Sequence, residues 1–262
     1  MSVLERFKLD GKTALVTGGA GLYGRQITEA LAQAGARTYI ASRNRDQSER
    51  LASELRDDRL NVNSLTLDQS NETSIEELKN TLLEDAERID VLVNNAVLRP
   101  VKDWNCSADD FSKSMQVNAT GLFLMTRTFG ELMAEQGGGS IINIGSIQGH
   151  VGPDFSLYEG LGWETPPDYF FHKGGMLNFT RFAAAKLGPR NVRVNIISPG
   201  ANGEFDRPAR SRRFLRVGCF GIHHRRELAC RRRLYGYVTG CRSTGGGSCH
   251  ELWEQRPSRI VA

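Results

Sequence analysis

Short apolar runs alternating with helix-patterned stretches constrain this chain more than any other feature. Lys12 to Thr17 is an apolar run stopped by glycines, and Tyr23 to Ala34 then repeats its apolar positions at helical spacing until Gly35, a capping residue. The alternation recurs. Thr38 to Ala41 precedes a charged helix over about 45–56, Val62 to Leu67 precedes a helix over about 72–86, and Asp90 to Asn94 is a fourth strand. A long helical stretch near 108–136 stops at Gly137, Gly138 and Gly139, with further strands at Ile141 to Ile144 and Val192 to Ile197. Strands this apolar must be covered on both faces, which predicts an α/β fold: a parallel, doubly wound sheet in three layers with crossover helices on either side. A chain of 262 residues suits one such domain. Ligands of such sheets bind at the carboxyl ends of the strands.

Several local patterns lie where those ends fall. Thr17-Gly18-Gly19-Ala20-Gly21-Leu22-Tyr23-Gly24 follows a strand and opens a helix. Glycines there let the backbone approach a pyrophosphate, whose charge meets unpaired N–H groups and the positive end of the helix dipole. After the second strand comes Ala41-Ser42-Arg43-Asn44. An acidic residue at this point would accept hydrogen bonds from an adenosine ribose, whereas Ser42 leaves room for a 2′-phosphate and Arg43 offers it a guanidinium, so the pattern favours NADP over NAD. Read alone, Arg43 is one of several charges on a solvated loop. A helix over about 166–187 carries a capping-box pattern, Thr165 with Asp168, Pro166 at its first position and Gly188-Pro189 at its end. Tyr169 and Lys173, four apart, project from one face of its first turns.

With Asp68 after the third strand, Asn94-Asn95-Ala96 after the fourth, Asn118, Ser146, Tyr169-x-x-x-Lys173 and Ser198-Pro199-Gly200, the glycine loop completes a series over residues 10–200. In that order the series resembles the short-chain dehydrogenase/reductase family. The resemblance implies a Rossmann-type single domain, usually in a homodimer or homotetramer, that moves hydride between a nicotinamide and a carbonyl or alcohol of a small molecule. It implies a catalytic set of Asn118, Ser146, Tyr169 and Lys173. It also implies a cofactor site built from Gly18, Gly21, Tyr23, Gly24, Ser42, Arg43, Asp68, Asn95, Ala96, Pro199 and Gly200, with Tyr169 and Lys173 at its reacting end. Leu22 and Val97 stand where the family usually has glycine. Arg99-Pro100, Pro153-Asp154-Phe155 and Tyr158-Glu159-Gly160 are similar to family members of sugar and sugar-acid pathways, including gluconate dehydrogenase-like and nonulosonate-associated enzymes.

The chemistry is coherent beside that resemblance. A carbonyl accepting hydride develops negative charge on oxygen and needs a proton donor in place. A free tyrosine has a pKa of about 10, so Tyr169 serves both directions only if its phenolate is stabilised, and a lysine one turn away supplies the charge. In the family, that lysine also holds the nicotinamide ribose, the serine orients the substrate oxygen and the asparagine keeps a water-mediated proton route. Ser146 and Tyr169 are 23 positions apart, with Pro153 to Pro167 reading as an insertion. Tyr158 is nearer to Ser146, but Gly162 stands four residues on, so it lacks the lysine. The insertion is expected to wall the substrate pocket or to form a surface loop without substrate contact, and His150 and His172 to line the pocket.

Composition sets the remaining limits. Hydrophobic residues at 39% and charged residues at 24% argue against disorder, and no apolar run approaches a membrane span. Glu5, Arg6, Lys8 and Asp10 stand where a secretory signal would be apolar, and five cysteines without a CxxC pair suit a reducing, cytoplasmic setting. Residues 201–262 differ from the rest. They hold thirteen Arg, no Lys and five acidic residues, a charge of +8 against −4 for residues 1–200 with 21 basic and 25 acidic residues. Cys219, Cys230, Cys241 and Cys249 also lie there. The chain thus reads as a dinucleotide-binding catalytic region over 1–200 and an atypical segment over 201–262, where Tyr237 to Gly240 matches the start of the family's last strand but Cys241 to Gly247 does not match its end. A shifted reading frame produces such enrichment, and a damaged substrate lid would leave a dinucleotide-binding protein without turnover. Neither a metal nor a nucleic-acid partner is expected, since potential ligands are irregularly spaced and stacking aromatics are few.

Overall fold

A parallel sheet with a reversal in strand order organises the computed structural model, which describes residues 4–160, 164–200 and 228–229. The strands are β1 (Thr13–Thr17), β2 (Arg37–Ser42), β3 (Val62–Thr66), β4 (Val91–Asn94), β5 (Gly139–Ile144), β6 (Val192–Ser198) and β7 (Leu228–Ala229). They lie in the order β3-β2-β1-β4-β5-β6-β7. Every pairing is parallel. All described residues fall within one compact unit, Met1–Ala229. Between β1 and β4 the winding changes direction, which opens a crevice at their carboxyl ends.

Among the described residues the α-helices are α1 (Leu22–Gln33), α2 (Arg45–Asp57), α3 (Glu72–Asp85), α4 (Ala108–Met115), α5 (Leu122–Glu135) and α6 (Pro167–Leu187). Successive strand residues face opposite layers. Leu15, Leu92 and Ile141 pack with Leu78 and Leu82 of α3, Met125 and Phe129 of α5 and Leu187 of α6. Ala14, Val16, Val91, Val93 and Ile142 pack with Ile27 and Leu31 of α1. Ile40 and Val62 meet Leu51 and Leu55 of α2 on that same side. The expected three-layer α/β architecture is therefore present.

Three local expectations are revised. The stretch near 108–136 is not one helix, since a π-turn over Gln116–Gly121 separates α4 from α5. Such turns widen the hydrogen-bond step while barely disturbing apolar spacing. Second, α6 starts at Pro167, its N-cap is Pro166, and no side chain caps it. Thr165 instead accepts from Gln148 Nε2 at 3.4 Å, and Asp168 turns inward to Ser114. Third, Leu228–Ala229 pairs with Ile197 and Ser198, inside the segment 201–262 in which only Tyr237 to Gly240 reads as strand. The expectations for the rest of 201–262, Tyr237 to Gly240 and the shifted frame included, fall outside the described residues, as does Trp163.

Candidate active site

At the carboxyl ends of β1, β2 and β4 lies a cleft of about 640 Å³. It is lined by Gly18, Gly21, Tyr23, Ser42, Arg43 and Asp68 and, after β4, by Asn95, Ala96 and Arg99. The glycine loop is shaped by close approach. Gly18 has φ +62°, and a Cβ there would lie 2.9 Å from Ala96 Cα. At Gly24 a Cβ would sit 2.1 Å from the Gly18 carbonyl oxygen, so only glycine lets α1 start against the loop. The loop is clamped from β4. Thr17 Oγ1 accepts from the N–H groups of Asn95 and Ala96, each at 3.0 Å. Asn95 Nδ2 donates to the carbonyls of Thr17 at 3.1 Å and Gly18 at 3.0 Å.

No acidic residue ends β2. Ser42 bonds to Asn44 O and Ser48 Oγ, and Arg43 is exposed. The hydroxyl and backbone N–H of Ser70, and then the charge of Arg43, hold the Asp68 carboxyl below its usual range. The loop geometry, the open first turn of α1 and the adjoining cleft fit a dinucleotide.

The first turns of α6 adjoin the cleft through Arg99, which lines it and lies over the Tyr169 ring. Asn94 donates to Asn143 at 2.9 Å, and Asn143 donates to Thr180 of α6 at 2.9 Å, a buried amide chain that registers the helix against β4 and β5. Just after Ser146 the chain presses on α6, where a Cβ at Gly149 would lie 2.6 Å from the Lys173 carbonyl oxygen. Ser146 is buried, and its Oγ accepts from Gln148 N at 3.2 Å. Pro199 is held there by a 2.9 Å bond from Ile147 N to its carbonyl, with Gly200 next in the chain.

Tyr169 is half-buried, and among the described residues its hydroxyl has no hydrogen-bond partner. Lys173 Nζ lies 5.6 Å from its ring centroid and donates to the Ile144 carbonyl. Burial first, then the charge of Arg99, lowers Lys173 to about 7, so this ammonium gives up its proton near neutrality. His172 packs edge-on to Tyr169 at 5.2 Å and is only 3% exposed, with no partner for either ring nitrogen among the described residues. Burial, followed by the charges of Lys173 and Arg99, lowers it to about 3. It is a buried support of the tyrosine ring rather than the pocket lining expected of it. Burial first, and second the nearby Tyr169, raises the Tyr23 phenol above its usual value, which places the glycine-loop tyrosine within electrostatic reach of the α6 tyrosine.

Asn118 belongs to the π-turn and is buried. Its side chain grips one residue on both sides: Nδ2 donates to Leu98 O at 2.7 Å, and Oδ1 accepts from Leu98 N at 2.9 Å. Nδ2 also donates to Ser114 Oγ at 3.0 Å, and Ser114 donates to the buried Asp168. A continuous chain of bonds thus joins the loop after β4, the π-turn and the residue before Tyr169.

Of the expected residues, Gly18, Gly21, Tyr23, Ser42, Arg43, Asp68, Asn95 and Ala96 line the cleft, whereas Asn118, Ser146, Tyr169 and Lys173 lie outside its lining. The side-chain amides of Asn95 and Asn118 hold neighbouring loops. The sequence reading missed one residue and gave another no place in the site. Ser114 was hidden because its partner is 54 positions away. Arg99 entered the sequence reading only with Pro100, as a likeness to sugar and sugar-acid members of the family; in the fold its guanidinium carbon lies 5.0 Å from the Tyr169 ring centroid. Of the insertion, Phe155–Tyr158 forms a short turn, and Glu164 accepts from Trp104 N at 2.9 Å.

Residues 12–204 match the model of the family described as short chain dehydrogenase. Among curated proteins, D-threitol dehydrogenase of Mycolicibacterium smegmatis is 35% identical over 200 residues, covering 76% of this chain and 73% of that protein. A crystal structure of gluconate 5-dehydrogenase from Burkholderia cenocepacia, in complex with NADP and tartrate, superposes with a TM-score of 0.69 at 28% identity, covering 79% of this chain and 78% of that one. The structure of an NAD+-bound xylitol dehydrogenase superposes with a TM-score of 0.67 at 30% identity, covering 74% and 71%.

Proposed function

This chain belongs to the short-chain dehydrogenase family, and on that premise we propose that Tyr169 exchanges the proton of the reacting oxygen while Lys173, Ser146 and Asn118 support it. The protein is an oxidoreductase that moves hydride between a nicotinamide cofactor and an alcohol or carbonyl group. One pair of side chains carries the residue assignment: a lysine one helical turn from a tyrosine, its Nζ 5.6 Å from the ring, at the end of a dinucleotide-sized cleft. The catalytic unit is assigned to residues 1–200.

When bound, the cofactor supplies the nicotinamide carbon that accepts or donates hydride. The glycine loop and α1 hold its pyrophosphate, Asp68 and Arg43 its adenosine end, and Ala96, Lys173, Pro199 and Gly200 its nicotinamide end. Ser42 and Arg43 favour NADP, with NAD also admitted, and the related structures carry NADP in one case and NAD+ in the other. Ser146 donates to the substrate oxygen, which aligns that oxygen with Tyr169 Oη. In oxidation Tyr169 takes the hydroxyl proton as hydride leaves the carbon, and in reduction it returns one. The relatives act on threitol and xylitol, which favours a small polyhydroxylated substrate for this chain.

The outer faces of α5 and α6 expose Phe123, Phe171 and Phe182 at 42%, 67% and 65%, apolar surface that a second copy of this chain would cover, so a homodimer or a tetramer built from it is the proposed assembly. Among the described residues no helix is long and apolar enough to cross a membrane. A reducing cytoplasm suits the free Cys106.

Tyr169→Phe tests the assignment. Rates with C4 to C6 polyols and ketoses should fall at least ~1,000-fold in kcat, near the upper range for general acid–base catalysis, while NADPH binding measured by fluorescence stays within a few-fold. Turnover that survives the substitution would remove Tyr169 from the mechanism.

A further inference from the structure

Arg99 is a cation of the cleft that the hydride-transfer chemistry does not use. Its guanidinium lies over the Tyr169 ring with its carbon 5.0 Å from the centroid, at the reacting end of the cleft. The residue before it is fixed, since Asn118 bonds both the N–H and the carbonyl of Leu98. Arg99 is exposed and, among the described residues, forms no ion pair. Among the residues lining the cleft, Asp68 is the one acidic group, and it sits at the adenosine end under the influence of Arg43. Among the described residues, the positive charge at the reacting end is therefore left without a counter-charge on the wall. A guanidinium presents a planar fork of N–H donors that matches a carboxylate in two parallel bonds, a geometry that neutral hydroxyls do not complete.

We infer that Arg99 selects a polyhydroxy carboxylate over the corresponding neutral polyol, with the carboxylate on the guanidinium and a hydroxyl of the same molecule at Tyr169. This rests on the hydride-transfer reading and narrows its substrate class. The size of the preference follows from exposure. An ion pair in open water contributes little, but a two-pronged, charge-assisted contact partly shielded by the substrate and the Tyr169 ring corresponds to a factor of roughly 10 to 100.

The test uses pairs that differ only at one terminal carbon, D-gluconate against D-glucitol and threonate against threitol. kcat/KM for each would be measured with the full-length protein, Arg99→Lys and Arg99→Met. Binding of threonate and threitol would be measured separately by calorimetry with reduced cofactor present, so that no turnover occurs. The wild-type protein should favour the acid of each pair by about tenfold or more, Arg99→Met should bring the ratio close to one, and Arg99→Lys should fall between. A wild-type preference for the neutral member, a ratio unchanged by Arg99→Met, or cofactor binding weakened as much as acid binding would each overturn the inference. Arg99-dependent binding of threonate without oxidation of any pair would uphold the anion site and sink the polyol-oxidising reading. Oxidation of both members at equal efficiency would do the reverse.

Discussion

The two ends of the cleft are built on different physical principles. At the nucleotide end, shape comes from backbone contacts that leave no room for a Cβ and from neutral clamps, Thr17 and Asn95, whose hydrogen bonds are made within the loop. At the reacting end, three buried ionisable side chains, Asp168, His172 and Lys173, crowd six residues of α6, and Asp168 Oδ1 and both nitrogens of His172 lack partners among the described residues. Buried polar groups without partners oppose folding. One end is thus limited by sterics and the other by electrostatics, so substitutions and pH should separate them.

The sharpest way to break this contrast is Gly24→Val. With the Gly18 carbonyl only 2.1 Å from the Cβ position, the loop must move, and overpacking of a few kcal/mol predicts cofactor binding weakened ~100-fold. Fluorescence titration with NADPH checks it, and binding within threefold of the parent would show that the loop does not need this contact. Asn95→Ala comes next. It strands two carbonyls, of Thr17 and Gly18, and should lower stability by about 1–3 kcal/mol in urea at any pH from 6 to 9, since no ionisable group is involved.

His172 gives an effect confined to one range of pH, absent near neutrality and the most selective of the three. The folded chain keeps its imidazole neutral down to about pH 3, whereas the unfolded chain takes up that proton near 6.5. Between those limits the unfolded state binds more protons, so stability falls as pH is lowered, by about 1.4 kcal/mol per pH unit from this group. Lys173 acts with the same sign between about 7 and 10.5, where stability rises with pH. His172→Leu should flatten the acid limb of a stability profile taken from pH 4 to 6.5 while leaving the alkaline limb in place. A parallel loss in both proteins would assign the acid sensitivity elsewhere.

Most of the fold was legible because strand apolarity and helical period survive in the linear chain. Each strand from β1 to β6 falls within two residues of its expected bounds, and Tyr169 and Lys173 share a helix face as their spacing requires. What escaped was decided by distant partners. Thr165 and Asp168 have the spacing of a capping pair, but Ser114 competes successfully for the carboxylate from another helix. The π-turn was hidden because one widened step leaves the apolar repeat of 108–136 almost intact. Asn95 and Asn118 were visible as motif residues, while their work as clamps needs the loops they hold. Arg99 was visible only as part of Arg99-Pro100, and it takes the folded chain to lay it over Tyr169.

The Ser114 to Asp168 contact has an evolutionary corollary. The hydroxyl and the carboxylate are both sealed from water, at 0% and 1% exposure, and each answers the other. Replacing either alone leaves an oxygen stranded beside the turn that carries Tyr169, whereas an apolar pair of similar volume restores a dry, contented packing. In an alignment of descendants and cousins the two columns should therefore mutate in tandem, and a sequence with alanine at one position and aspartate at the other should be rare.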